Sequence, residues 1–477
     1  MSQEPEISVE DLTRCTEVLE SVVSNDLLLS SLTEEQRIRL FIAAGKVVYP
    51  DRIQVRRRQK ALRKQRLKSV DASDRAVRAA TAMRTLRRES VFTPPPRSIM
   101  PPEPIGELKR PRDCYVCKKT FSQVHFFYDS MCPPCAALNY EKRFQTASLE
   151  GRVAIITGAR LKIGYQCALL MLRAGARVIV TTRFPHDAAM RFAREADFPV
   201  WGPHLQVYGL DLRYSPSVEA FTQLMERTLD RLDILINNAA QTVRRPPGFY
   251  AHMTELEAKP LQALPEAVHP VLQGHATLRL MDPDNTGDTQ QITDLTSTHF
   301  PAGRLDADLQ QVDLRKMNSW RMTLADVPPG EMLEVQLVNA VAPFILCSKL
   351  KPLMLRQRTN EKHIVNVSAM EGKFNRHTKT DKHPHTNMAK AALNMMTLTS
   401  ARDYAASGIF MNAVDTGWVT DEDPIEFSAR KQQEHDFQPP LDIVDGAARV
   451  CDPFFSGLIT GKHSWGNFLK DYFPTEW

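Results

Sequence analysis

The chain is short of several things, and each shortage excludes something. No apolar run in its 477 residues approaches the length of a membrane span. The first residues carry Glu4, Glu6, Glu10 and Asp11 and no apolar centre, against a secretory signal or an Arg-rich presequence and in favour of the cytoplasm. Cysteine is scarce, with eight residues. Four of them, Cys15, Cys167, Cys347 and Cys451, stand singly among apolar neighbours. That pattern suits a reducing compartment with one metal site better than a disulfide framework. Neither charge sign dominates: 61 Lys and Arg face 56 Asp and Glu, and the net charge of +5 makes any polyanion surface a local one. The remaining composition is that of a globular protein, with length for about two to four domains.

What is present is organised around Arg152 to Arg183. Val153 to Ile156 is an apolar run of strand length. The turn Thr157-Gly158-Ala159-Arg160-Leu161-Lys162-Ile163-Gly164 follows. A helical pattern from Tyr165 to Arg173 ends at Ala174-Gly175-Ala176, and a second apolar strand runs from Val178 to Thr182. Strand, glycine turn, helix and strand in this order make a βαβ unit of a parallel sheet. The turn sets backbone N–H groups and a helix N-terminus where a dinucleotide phosphate would sit.

On these residues the chain resembles the short-chain dehydrogenase/reductase family, whose turn reads T-G-x-x-x-G-x-G. Thr157, Gly158 and Gly164 match, and Lys162 replaces the middle glycine. Later landmarks follow in family order. Asp211-Leu212 closes a third strand where the family places an acid near the adenine. Leu235 to Ala240 (LINNAA) matches its N-N-A-G strand end, with Asn237 and Ala239 in place. Asn339 falls where the family keeps a helix asparagine. Ile364 to Ser368 matches the strand that ends in the catalytic serine, and Asn387 to Leu393 matches the segment carrying the lysine. NAVDTGWV, with Gly417, matches N-x-V-x-P-G-x-V, and LKDY is the expected last strand. The resemblance implies a doubly wound α/β Rossmann domain over residues 149–477. It also implies a nicotinamide cofactor held by Thr157, Gly158, Arg160, Ile163, Gly164, Arg183, Asp211, Leu212, Asn237, Ala239, Lys390 and Gly417.

The family's acid at the end of the second strand is missing. Thr182-Arg183 stands there instead, so Arg183, with Arg160, suits a 2′-phosphate, and NADP(H) is expected over NAD(H). The family's catalysis uses serine, tyrosine, lysine and asparagine. Lys390 and Asn339 match. Thr386 occupies the tyrosine position, and Ala369 aligns with the reactive serine unless Ser368 serves. His383 or His385, in the basic stretch before Thr386, is a candidate proton donor near neutral pH. Two readings stay open: an oxidoreductase on a carbonyl or alcohol with an altered donor, or a degenerate nucleotide-binding scaffold or sensor.

Ahead of this domain, residues 1–90 read as helical. Thr33-Glu34-Glu35-Gln36 opens one helix as a capping box. Arg52 to Arg88 is strongly basic around RRRQKALRKQR. It reads as a solvated helix pair, a nucleic-acid or other polyanion surface, or a membrane-surface segment. Prolines 94–96, 101 and 102 mark a linker at 91–110. Residues 111–148 hold Cys114, Cys117, Cys132 and Cys135 as two C-x-x-C pairs. Four thiolates at this spacing predict a closed structural Zn²⁺ site resembling a treble-clef or ribbon finger. Residues 247–317 form an insertion in a normally short connection. Its DPDNTGD segment lacks the glutamate a calcium loop needs at its twelfth position. Homo-oligomerisation through the helices of Asn339 and Lys390 is a family habit that the insertion sits close to.

Overall fold

The computed structural model describes residues 8–25, 27–49, 52–89, 91–97, 103–281, 299–301, 303–307, 309–375 and 379–477. The DPDNTGD segment lies outside them. Two units result, Met1–Ser73 and Asp74–Trp477, so the division falls well before the expected boundary at residue 90.

The first unit is helical. Ser8 caps Val9–Ser24 in a box with Asp11, and Thr33 caps Glu34–Val48 in a box with Gln36. Both hydroxyls accept the orphan N–H of the third helical residue, as the sequence pattern requires. Residues 56–69 of the basic helix Arg52–Ala79 are exposed.

The basic stretch does not stay solvated to its end. Within the second unit Arg78 pairs with Asp436 at 2.7 Å, and Arg84 bridges Asp129 at 2.6 Å and Asp436 at 2.7 Å. Arg87 donates to the Pro439 and Leu441 carbonyls. These three arginines are committed to contacts within the second unit, so the stretch is not solvated along its whole length.

The second unit carries the sheet. Strands β1 (Gly106–Asp113) and β2 (Thr120–Val124) form an antiparallel hairpin, and β1 begins inside the stretch read as linker. The main strands are β3 (Val153–Thr157), β4 (Arg177–Thr182), β5 (Leu205–Gly209), β6 (Ile234–Asn237), β7 (Lys362–Ser368), β8 (Ile409–Asp415), β9 (Phe468–Lys470) and β10 (Phe473–Thr475). Their order is β10-β9-β8-β7-β6-β3-β4-β5, parallel except for β10. The expected βαβ unit is there; of the expected last strand LKDY only Leu469 and Lys470 lie in β9, Asp471 and Tyr472 form a left-handed turn, and the antiparallel β10 follows. Strand β3 is buried along its whole length, which is why it reads as an apolar run without alternation, and β7 is equally buried although it carries Lys362, His363 and Asn366.

Helices cover both faces. Cys167 and Leu169 of Lys162–Arg173 join Ala447, Val450 and Phe454 of Ile443–Thr460 in one core. Phe221, Leu346, Leu350 and Tyr404 build the other, from Ser215–Thr228, Ala342–Leu355 and Pro384–Ala405. The continuous helical run Pro329–Leu355 is long and apolar enough to cross a membrane, contrary to the sequence reading. Half of its apolar window is buried, and Leu346, Leu350 and Leu353 are core residues, so its hydropathy is that of a core helix.

The described residues of the insertion include a long helix. His269–Met281 lies along the edge strand β5 and buries Val271, Leu272 and Leu278. Its His275 Nδ1 accepts the Gly209 N–H at 3.1 Å, satisfying an edge-strand donor.

Candidate active site

The sheet order reverses between β3 and β6, and a crevice opens beyond the strand ends there. The Thr157 hydroxyl accepts the N–H groups of Asn238 (3.1 Å) and Ala239 (3.0 Å), pinning the two strand ends together. The Asn238 amide donates to the Thr157 and Gly158 carbonyls at 3.0 Å each. Glycine is required here by contact. A Cβ on Gly158 (φ +68°) would lie 2.8 Å from the Ala239 Cα, and one on Gly164 would lie 2.5 Å from the Gly158 carbonyl oxygen. Lys162, in place of the family's middle glycine, adopts the glycine-like φ of 54°. The helix it opens has Leu161 at its N-cap, which offers no side-chain acceptor. The first-turn N–H groups and the positive helix end suit a phosphate.

A cavity of about 1160 Å³ lies over these ends. Its wall includes Gly158, Arg160, Ile163, Gly164, Arg183, Asp211, Leu212, Ala239, Lys390 and Gly417, all expected cofactor residues. Thr157 and Asn237 are behind the wall. Asn237 donates to the Asn366 side chain at 2.8 Å, in a buried amide ladder that continues to the Thr397 hydroxyl.

At the adenine-side end, Arg183 donates to the Tyr250 hydroxyl at 2.6 Å and sits 4.6 Å from its ring centroid. Tyr250 comes from the insertion. Arg160 does not share the expected role with Arg183. Its guanidinium is buried and paired to Asp187 at 2.8 Å. Asp211 is paired with Arg213 at 2.5 Å. Asp211 also interacts electrostatically with Arg183.

At the other end, Lys390 is buried and donates to the Val367 carbonyl at 2.8 Å. Burial pushes its ammonium down to about 8, with Glu371 and Asp415 opposing the shift. The Ser368 hydroxyl donates to the Asn394 Oδ1 at 2.6 Å. The Thr386 hydroxyl is buried with no hydrogen-bond partner among the described residues. Asn339 sits in a π-helical turn, Leu337–Val341, behind the wall. Its amide holds Gln241 from both sides, accepting its N–H at 2.7 Å and donating to its carbonyl at 3.2 Å.

His385 is corrected as a donor. It is buried away from the cavity wall, its Nε2 3.7 Å from the Glu331 carboxylate, which also accepts from Ser319. His383 is on the wall. It adopts a left-handed φ of 42° and stacks on Trp320, with centroids 3.8 Å apart and planes at 7°. Trp320, Trp418, Tyr115, Tyr250 and Asp415 were not foreseen as wall residues. Asp415 and Trp418 were in plain view within the NAVDTGWV motif, whereas Trp320, Tyr115 and Tyr250 come from segments without a family counterpart.

The four cysteine sulfurs lie within 4.8 Å of one another. Cys114 and Cys117 flank a tight knuckle at the end of β1, closed by the Lys118 N–H donating to the Cys114 carbonyl. Cys132 caps the helix Pro133–Lys142, and Cys135 is in its first turn. Thiolates at about 2.3 Å from a tetrahedral ion fit this cluster. The module is fastened to the Rossmann helix Ile443–Thr460. Arg143 pairs with Asp442 at 2.6 Å and Asp445 at 2.9 Å, and the Tyr128 hydroxyl donates to Asp445 at 2.5 Å.

Comparison with known proteins agrees with this architecture. A family model described as short chain dehydrogenase matches residues 152–257, and one described as Enoyl-(Acyl carrier protein) reductase matches 254–438. The chain is 29% identical over 371 residues to uncharacterized protein R665 of Acanthamoeba polyphaga mimivirus, covering 75% of this chain and 74% of that one. It is 29% identical over 173 residues to human retinol dehydrogenase 13, covering 36% of this chain and 49% of that one. A Pseudomonas aeruginosa RhlG/NADP complex superposes with a TM-score of 0.42 at 19% identity, over 68% of this chain and 95% of that one. With its glycine turn, its strand order and two consecutive family matches, the chain belongs to the short-chain dehydrogenase/reductase family.

Proposed function

We propose that the chain binds NADP(H) and acts as an oxidoreductase on a carbonyl or alcohol substrate. One observation carries the NADP(H) reading: Arg183 lies on the cavity wall beside Tyr250, while Asp187 and Asp211 are paired to Arg160 and Arg213. A 2′-phosphate gains a cationic partner there and meets no unpaired carboxylate from these two acids. The nucleotide, when bound, supplies or accepts the hydride. The helix N-terminus at Lys162 holds its phosphates, and the Lys390 ammonium holds ribose hydroxyls. Thr386 is too weak an acid to serve for the family's tyrosine. Lys390, brought to about 8 by burial, is the matched group suited to giving a proton near neutral pH. The cysteine tetrad holds one structural Zn²⁺, and the exposed basic helix before residue 70 takes a polyanion.

A second reading, a degenerate nucleotide-binding scaffold, is favoured by Ala369 at the reactive position and by the Ser368 hydroxyl being committed to Asn394. Fluorescence titration with NADPH and NADH, followed by single-turnover mixing with aldehydes and ketones, separates the readings. Tight NADPH binding with hydride transfer supports the first. Binding without transfer supports the second, and no binding removes both.

A further inference from the structure

The cysteine module and the cavity share a residue. Tyr115 stands between Cys114 and Cys117, yet its side chain forms part of the cavity wall. Its phenol oxygen accepts the Trp418 N–H at 2.9 Å. Lys118, the left-handed residue of the same knuckle (φ 63°), is also on the wall, and its ammonium donates to the Tyr115 carbonyl at 2.6 Å. The ring lies near two ammonium groups, Lys118 at 5.3 Å and Lys470 at 5.5 Å from its centroid.

From Trp418 the contacts continue to the end of the central strand. The Gly417 N–H donates to Asp415 Oδ1, and Asp415 Oδ2 accepts the Met370 N–H, both at 2.7 Å. Met370 is two residues past Ser368. The fit between loop and phenol is close: Gly417 is left-handed (φ +76°), and a Cβ there would stand 3.1 Å from the Tyr115 hydroxyl. The phenol oxygen is filled as an acceptor, but its proton has no acceptor among the described residues.

We propose that the four-cysteine site is a structural part of the nucleotide site. Metal binding closes the knuckle, which sets Tyr115 and through it the 415–418 loop. The Tyr115 hydroxyl then donates to an acceptor oxygen of the dinucleotide. This rests on the reading that the cavity takes NADP(H) and the tetrad takes zinc. Linkage makes the effect reciprocal: whatever factor zinc adds to nucleotide affinity, the nucleotide adds to zinc affinity.

The test uses the full chain purified with zinc. Zinc transfer to the chromogenic chelator 4-(2-pyridylazo)resorcinol is measured with and without saturating NADPH, for wild type and Tyr115→Phe. A single neutral hydrogen bond corresponds to on the order of fivefold in affinity. NADPH should therefore protect wild-type zinc severalfold. Tyr115→Phe should keep stoichiometric zinc while losing on the order of fivefold in NADPH affinity and most of the protection. Zinc release indifferent to bound NADPH, or a Tyr115→Phe variant with unchanged NADPH affinity, would overturn the coupling alone. Protein that binds no NADPH at all, or that carries no zinc, would overturn the underlying reading and the proposal with it.

Discussion

The Lys390 ammonium donates to the Val367 carbonyl, 2.8 Å away, one strand residue before Ser368. The residue one turn before it on its own helix is Thr386, so no phenol is there for the ammonium to activate. A pH dependence follows from its burial. Burial lowers Lys390 from the ordinary 10.5 to about 8. Between those values the unfolded chain binds the extra proton, so this group's contribution to stability rises with pH from about 8 to 10.5. Below 8 the burial penalty is at full size. Lys390→Met should therefore gain most relative to wild type below pH 8 and lose that advantage toward 10.5, in denaturant titrations. Nucleotide affinity should move the other way in wild type, weakening as pH rises through about 8, and should be weaker and flat in Lys390→Met.

Arg183 decides the nucleotide if it meets the 2′-phosphate. Arg183→Ala should weaken NADPH by about 10- to 100-fold and leave NADH within about twofold. Equal binding of the two nucleotides by wild type would refute the assignment. Tyr250→Phe removes the hydroxyl that holds the guanidinium and should give a smaller loss in the same direction.

Arg143 is the buried tie between the cysteine module and the Rossmann helix. Arg143→Ala leaves Asp442 and Asp445 without this cation and should destabilise by about 3–5 kcal/mol in denaturant unfolding. A loss below about 1 kcal/mol would show that the module is only loosely attached.

Lys162 occupies a glycine conformation. Lys162→Gly should be about 1 kcal/mol more stable than Lys162→Ala, because only glycine adopts a left-handed φ without a Cβ penalty. Thermal melts of the two variants compare the backbone terms directly. Both should bind NADPH more weakly than wild type if the ammonium faces phosphate.

His385→Ala should leave nucleotide affinity and any turnover within about twofold, because the ring does not reach the cavity. A loss of about 10²–10⁴ in rate would restore it as a general acid. The expected cost is stability, about 1–3 kcal/mol, from a buried Glu331 that loses a neighbour.

The sequence by itself determined the scaffold. The apolar run at Val153, the glycine turn, the strand ends at Asn237 and Ser368 and the pairs at Cys114 and Cys132 are local patterns. Local patterns report backbone conformation, periodicity and ligand spacing. It also determined what is missing, since Thr386 and Ala369 are read directly by position. Only the tertiary structure decided how the groups are used. Arg160 and Arg183 look alike in the sequence, but Asp187 claims one and Tyr250, from a distant insertion, holds the other. His383 and His385 are two residues apart on one segment, yet one faces the cavity and the other Glu331. Tyr115 belongs to a metal knuckle by sequence and to the cavity wall by packing. Such assignments depend on contacts between residues far apart along the chain, from 27 positions for Arg160 and Asp187 to 303 for Tyr115 and Trp418. They are set by how the faces of the sheet are covered, which no single segment encodes.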